Sequence, residues 1–287
     1  MVPINPDEVR SVGVIGAGTM GAGIAQVFLG AGCSVALHDA SRETSRQAVE
    51  RIRAGLEKWE AKGRIPSAEE AQSRLRITPG LVEMGACQWV VEAVIEDPDA
   101  KAEVFRSLGR FCSNGTVLAS NTSSISITWL GAQAGAPERV IGMHFFNPPP
   151  VMRLVEVVPG LNTAPEVTAA TEALVARLGK VPVRAADRPG FIANRILAPM
   201  INEAVWVLEQ GVGTAVDIDQ VMRLGMNHPM GPLELADLIG LDVVLAILEV
   251  LYSELGDVKY KPCPLLRRHV QAGRLGRKTG RGFYDYP

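Results

Sequence analysis

The chain has 287 residues, 47% of them hydrophobic and 21% charged, enough for one large or two moderate domains with a real core. Lys and Arg total 29 against 31 Asp and Glu, and the formal net charge of -2 excludes a general nucleic-acid binder while leaving room for a local basic patch that meets a phosphorylated small molecule. The four cysteines, Cys33, Cys87, Cys112 and Cys263, are far apart and form no Cys-x-x-Cys, so they read as buried thiols of a reducing compartment and not as a zinc site or disulfide framework.

Residues 1–10 carry Asp7 and Glu8 and no apolar stretch, so no secretory signal is expected. Residues 11–15 form a short β-branched run leading into Gly16-Ala17-Gly18-Thr19-Met20-Gly21, and an Ala-rich apolar helix follows to residue 31. Residues 35–38 read as a second strand ending at Asp39. Residues 41–62 have helical periodicity with Ser41 as N-cap, and a short helix is expected after Gly63 and Pro66. Strands buried on both faces are predicted at 89–94 and 116–119, with a helix at 100–111 between them. Further strands are read at 140–143, 154–158 and 181–185, with a helix at 166–178. This alternation predicts an α/β fold with a Rossmann-type, doubly wound, mostly parallel sheet.

After Arg188-Pro189-Gly190 the strand pattern stops. Helices are predicted at 192–209, 215–224, 233–239, 241–254 and 265–272, punctuated by Gly211, Gly225, Asn227-His228-Pro229 and Gly240. The expected division is therefore 1–187, a dinucleotide-binding domain, and 188–287, an all-helical domain. The apolar run at 243–251 is broken by Glu249 and is too short to span a bilayer, so no membrane partner and a cytoplasmic location are expected.

Gly16, Gly18 and Gly21 fit Gly-x-Gly-x-x-Gly, in which the glycines give a tight turn, close approach of a pyrophosphate and close helix–strand packing. The bare pattern is common. Here a strand precedes it, a helix follows it, and Asp39 ends the next strand at the usual interval of about 20 residues for a carboxylate that bonds ribose hydroxyls. That charge repels a 2′-phosphate and points to NAD over NADP; Arg42, three positions on, is the counter-sign, and also reads as a solvated helix-start arginine.

Between residues 120 and 156 a hydroxyl loop (Ser120-Asn121-Thr122-Ser123-Ser124), a histidine among apolar residues (His144-Phe145-Phe146-Asn147-Pro148) and a carboxylate (Glu156) recur in one span. A proton-transferring site needs a hydroxyl to hold substrate, an imidazole to take a proton and a carboxylate to orient it. Singly, each has a plainer reading: a satisfied core histidine for His144, a strand-edge ion pair for Glu156, a helix-start backbone cap for Asn194, and solvated surface charges for Lys62, Lys101 and Lys278. No histidine has metal-ligand spacing, and no metal is expected.

From residue 12 onward the chain resembles the 3-hydroxyacyl-CoA dehydrogenases, the short bacterial 3-hydroxybutyryl-CoA dehydrogenases in particular. The resemblance is carried by Gly-Ala-Gly-Thr-Met-Gly-Ala-Gly-Ile-Ala at 16–25, Val-Glu-Ala-Val-Ile-Glu at 91–96 and Ala-Ser-Asn-Thr-Ser-Ser at 119–124. It continues in His-Phe-Phe-Asn-Pro at 144–148, Pro-Gly-Phe-Ile-Ala-Asn-Arg at 189–195, His-Pro-Met-Gly-Pro-Leu-Glu-Leu at 228–235 and Gly-Arg-Lys-Thr-Gly-Arg-Gly-Phe-Tyr at 276–284. It implies NAD-dependent oxidation of an L-3-hydroxyacyl-CoA, of short chain, with His144 as the base, Glu156 as its partner, and Ser123 and Asn194 bonding the reacting part of the substrate. It further implies a cofactor site formed by Gly16, Gly18, Met20, Gly21, Asp39, Glu96, Lys101, Ser123, Asn147 and Lys278, coenzyme A contacts at Gly55 and Lys62, an active site in the cleft between the domains, and a homodimer through the helical domain. Apolar helices there, residues 241–251 especially, exceed what a small bundle needs to bury.

There are departures from the family. Pro149 makes a Pro148-Pro149-Pro150 run that should stiffen the loop between His144 and Glu156. Arg153 stands where lysine is common, and Gly55 where some relatives carry a serine that touches coenzyme A. Glu92 has a less specific place in the pattern and is assigned no role. Two rival readings share the fingerprint. One is a β-hydroxyacid dehydrogenase of the 6-phosphogluconate type, which rests on a lysine of its helical domain. The other is a crystallin-like NAD-binding protein without activity.

Overall fold

The computed structural model describes residues 5–286, which form two compact units dividing after Asp187. Residues 1–4, the start of the segment read as lacking a signal, lie outside the described residues.

The first unit is built on eight strands: β1 Ser11–Ile15, β2 Ser34–His38, β3 Leu75–Ile77, β4 Trp89–Glu92, β5 Val117–Ser120, β6 Val140–Phe145, β7 Leu154–Pro159 and β8 Val181–Arg184. Its helices are α1 Thr19–Gly30, α2 Arg42–Ala61, α3 Ala68–Ser73, α4 Pro98–Phe111, α5 Ile127–Ala134 and α6 Pro165–Arg177. The sheet order is β3-β2-β1-β4-β5-β6-β7-β8. Its first six strands follow the doubly wound dinucleotide-binding order, which opens a crevice outside the carboxyl ends of the strands, where the order reverses beside β1. The expected Rossmann-type sheet is therefore present. β4, β5 and β6 are buried along their whole length, as their unbroken apolar runs demand.

One strand departs from the parallel majority, and two short elements lie outside the sequence reading. β7 runs antiparallel to β6, with His144 paired to Glu156 and Phe145 to Val155. The reason lies in the connection: parallel neighbours need a crossover of a dozen or more residues, and only 146–153 separate these two strands. The reading also had neither β3, a three-residue strand too short to show alternation, nor α5, whose start is hidden in a Ser/Thr-rich stretch. Ser126 caps α5 by accepting from Trp129 N, and Asp187 accepts from Ile127 N at 3.0 Å and Thr128 N at 2.8 Å. Ser41 caps α2 as expected, accepting from Thr44 N.

The second unit is helical, with α7 Ala193–Glu209, α8 Ala215–Gln220, α9 Pro232–Ile239, α10 Leu241–Leu255 and α11 Pro264–Gln271. α8 is shorter than expected because the chain widens into a π turn over Val221–Gly225. Ile201, Val205, Leu233, Leu241, Leu248, Leu251 and Leu266 are fully buried and form this unit's own core. Asp237 ties the C-terminal segment to α9, accepting from Phe283 N, Tyr284 N and Tyr286 Oη, each at 3.0 Å. No helix among the described residues is long and apolar enough to cross a membrane. All four cysteines are free and buried, and burial pushes the Cys112 thiol up to about 11.

Candidate active site

The glycine turn joins β1 to α1. Gly16 adopts φ +94°, and a Cβ there would stand 2.4 Å from Ala93 O; at Gly21 it would stand 1.7 Å from Gly16 O. Both positions therefore require glycine. At Gly18 nothing lies within 4 Å of where a Cβ would stand, so a phosphate has open access to the backbone. Gly18 caps α1 without a side-chain bond, leaving first-turn N–H groups and the positive helix end for an anion. Gly16, Gly18, Thr19, Met20 and Asp39 line a cavity of about 690 Å³ together with Ala93, Val94, Ile95 and Ala100. Asp39 accepts from Ala17 N and from Ser41 N, both at 2.8 Å. The carboxylate is thus locked between the glycine turn and the start of α2, with acceptor capacity left for hydroxyls. These residues fit a dinucleotide.

Behind that cavity stands a buried charge network. Glu92, fully buried at the end of β4, accepts from Lys101 Nζ at 2.6 Å, Val94 N at 2.7 Å and Ser120 Oγ at 2.6 Å. Lys101 is itself buried and lies 3.3 Å from Glu96 Oε2. The other oxygen of Glu96 accepts from Thr122 Oγ1 at 2.6 Å, Ser123 N at 2.8 Å, Ser123 Oγ at 3.3 Å, Ser124 N at 3.1 Å and Ser124 Oγ at 2.9 Å. Burial pushes the Glu96 carboxyl up, but the Lys101 ammonium and these donors outweigh it and hold it below the usual carboxylate range. The loop presenting Ser123 is therefore shaped by one carboxylate. Glu92, given no role from sequence, is the centre of this network. The signal for it was a carboxylate at the carboxyl end of a fully buried strand, which needs a paired cation.

The same sheet end carries His144. It is buried on β6, and Nδ1 lies 2.8 Å from Glu156 Oε2. The antiparallel register sets the two residues opposite each other, so strand pairing itself creates this contact. A carboxylate accepts, so this contact suits the tautomer that carries its proton on Nδ1. The His144 ring centroid is 4.7 Å from that of Phe146. Asn121 Oδ1 accepts from Phe145 N at 2.9 Å, tying the hydroxyl loop after β5 to the residue beside His144.

Asn147 is exposed at the start of the 146–153 loop, and Met20 is half-buried on α1. Lys62 is exposed at the end of α2. Gly55 faces Gln26: a Cβ there would stand 2.1 Å from the Gln26 side-chain oxygen, so a serine would have to displace that amide. In the second unit, Asn194 is buried in the first turn of α7, and Lys278 is exposed and ion-paired to Asp242 at 2.6 Å.

Family models match both units. Residues 11–188 match the 3-hydroxyacyl-CoA dehydrogenase NAD binding domain, and residues 190–286 match the C-terminal domain of the same family. The chain is 50% identical over 281 residues to a probable 3-hydroxybutyryl-CoA dehydrogenase of Bacillus subtilis (strain 168), covering 97% of this chain and 98% of the relative. It is 46% identical over 280 residues to a 3-hydroxybutyryl-CoA dehydrogenase of Bradyrhizobium diazoefficiens, covering 97% and 96%. Among solved structures it resembles an (S)-3-hydroxybutyryl-CoA dehydrogenase from Ralstonia eutropha with a TM-score of 0.93 and 45% identity, covering 98% of this chain and all of the other.

Proposed function

The chain belongs to the 3-hydroxyacyl-CoA dehydrogenase family, and we propose that it interconverts a short L-3-hydroxyacyl-CoA, such as 3-hydroxybutyryl-CoA, with its 3-ketoacyl-CoA, using His144 as the base. The protein is an NAD-dependent oxidoreductase. Gly16, Gly18, Met20 and Gly21 would hold the pyrophosphate and Asp39 the adenosine ribose, with Glu96, Lys101, Ser123, Asn147 and Lys278 toward the rest of the dinucleotide. When bound, NAD supplies the acceptor for the hydride that leaves substrate C3.

The observation that carries the reading is the buried contact of His144 with Glu156, at the same sheet end as the glycine turn. In the oxidising direction the substrate hydroxyl loses its proton as its hydride departs. Nε2 of His144 takes that proton, and Glu156 stabilises the imidazolium that forms. In the reducing direction the imidazolium returns the proton. Ser123 and Asn194 donate to the substrate oxygen, where negative charge develops. Ser123 needs no nucleophilic role, since hydride transfer has no covalent intermediate and no nucleophile elbow surrounds it. Lys62 and the backbone at Gly55 are proposed contacts of coenzyme A.

A homodimer through the helical unit and a cytoplasmic location complete the proposal. α10 turns Leu241, Val244, Leu248 and Leu251 inward and leaves Val243 exposed, and Val216, Val221 and Leu224 are among the other exposed apolar residues of this unit. The test is consumption of NADH by purified protein with acetoacetyl-CoA, run beside longer 3-ketoacyl-CoA substrates, a free 3-keto acid and NADPH. Turnover of the short thioester with NADH is expected. NADH binding without turnover, or activity on the free acid alone, would sink the proposal.

A further inference from the structure

Lys180 is buried, just ahead of β8, and its Nζ donates to Pro149 O at 2.6 Å and to Met152 O at 2.7 Å. Burial draws this ammonium below the usual lysine range. Holding a cation there is costly, so what it holds matters.

What it holds is the loop that carries β6 into β7. Pro148, Pro149 and Pro150 have no N–H to offer one another. The next two donors, Val151 N and Met152 N, are both spent on Pro148 O, at 3.0 Å each. Lys180, from outside the loop, supplies a donor to the carbonyls of both Pro149 and Met152. The following residue continues the attachment, since Val181 N donates to Arg153 O at 2.8 Å. On the other side the loop rests on α1, where a Cβ added to Gly23 would stand 2.8 Å from Pro149 Cδ. The loop is thus gripped between α1 and Lys180. Its ends are the two strands that carry His144 and Glu156, and that pair is the second rung from the loop, after Phe145 with Val155.

We propose that Lys180 is a positioning residue for proton transfer: by bridging Pro149 O and Met152 O it fixes the mouth of the β6–β7 hairpin, and with it the distance and angle at which His144 meets Glu156. The inference rests on the reading of His144 as base and Glu156 as its partner. A reacting group displaced by about 1 Å loses up to roughly a hundredfold in rate, so partial loosening should cost about tenfold.

Lys180→Met keeps the aliphatic stem and removes the donors. Its kcat per NADH-binding molecule should fall about tenfold with KM for NADH unchanged. The solvent deuterium isotope effect on kcat should rise, because proton transfer then holds a larger share of the barrier. Lys180→Arg keeps donors at the same place and should recover most of kcat. A Lys180→Met protein with normal kcat and isotope effect and only a lower Tm overturns the proposal and leaves Lys180 as a structural staple. If that variant does not fold, Lys180→Gln, with a single amide donor group, is read in the same way: wild-type kcat and isotope effect overturn the proposal, and reduced kcat with a raised isotope effect sustains it. Failure of the underlying reading shows separately, as normal turnover in His144→Ala.

Discussion

His144 meets the carboxylate of Glu156 across a strand pair, whereas Lys101 meets those of Glu92 and Glu96, from a strand end and from a loop. Both are buried nitrogen–carboxylate contacts at one end of one sheet. They differ in what the charge has to do. In the proposed mechanism His144 gains and loses a proton in each turnover. Lys101 instead holds two carboxylates in place, Glu92 and Glu96, and through Glu96 the Ser123 loop. In the proposed reading the His144 end moves a proton, and the Lys101 end holds the structure around the cofactor. Removing a residue from the first should cost rate, and from the second should cost stability and binding.

The largest expected effect is at the reacting end. His144→Ala should lower kcat by roughly 10²–10⁴-fold, about 2.7–5.5 kcal/mol of transition-state stabilisation, with near-normal NADH affinity. Stopped-flow turnover and a separate NADH titration check this. Unchanged turnover removes His144 from its role and erases the contrast between the two ends.

Next comes Lys101→Met, which leaves Glu92 buried without its cation. Breaking such a pair from one side costs about 3–5 kcal/mol. Thermal or urea unfolding should show that loss. Adding Glu92→Gln to the Lys101→Met protein should recover part of it, because the stranded charge is gone. If the double variant is less stable than Lys101→Met alone, Glu92 has a further partner that matters more than Lys101.

A smaller effect is expected at the dinucleotide end. Asp39→Ala removes a charged acceptor, worth about 1.5–3 kcal/mol, and should weaken NADH binding roughly 10- to 150-fold. The discrimination against NADPH should shrink with it, since the carboxylate that repels a 2′-phosphate is lost and Arg42 remains. Equal NADH affinity in wild type and variant would leave Asp39 as a clamp between Ala17 N and Ser41 N and nothing more.

How far these two ends could be read from sequence follows the same contrast. The glycine turn and Asp39 were legible because their spacing is fixed by one strand–helix–strand unit, and the sheet because its buried strands are unbroken apolar runs. The pairing of His144 with Glu156 was legible through the family resemblance, but the antiparallel register of β6 and β7 that sets them face to face was not. The length of the 146–153 segment held that information. Glu92 left a signal, a carboxylate ending a buried strand, but the partners in its network were not legible. Its members are joined across a strand end, a helix and a neighbouring strand, and the bonds from Glu92 to Lys101 and Ser120 span 9 and 28 positions, which no helical or strand period links. Lys180 was missed for a similar reason, as its acceptors are backbone carbonyls and leave no mark in the sequence.

The smallest predicted effect tests whether the cofactor end is held by fixed charge. In the folded protein the Glu96 carboxyl sits below its usual value near 4.5 because Lys101 and the Thr122, Ser123 and Ser124 donors outweigh burial. A carboxyl held down on folding adds stability above its unfolded value, and that stability is lost as pH falls through the folded one. Unfolding midpoints should therefore drop on acidification below about pH 4.5, with part of the drop due to Glu96. Glu96→Gln should be less stable at neutral pH and less sensitive to acid over that window. The difference should be modest, since the Glu96 side chain is 38% exposed and water screens its pairing with Lys101. Urea titrations at about pH 6 and about pH 3.5 measure it. Equal acid sensitivity in the two proteins would mean that the Ser123 loop is held by neutral hydrogen bonds, and that the charge at this end serves Glu92 alone.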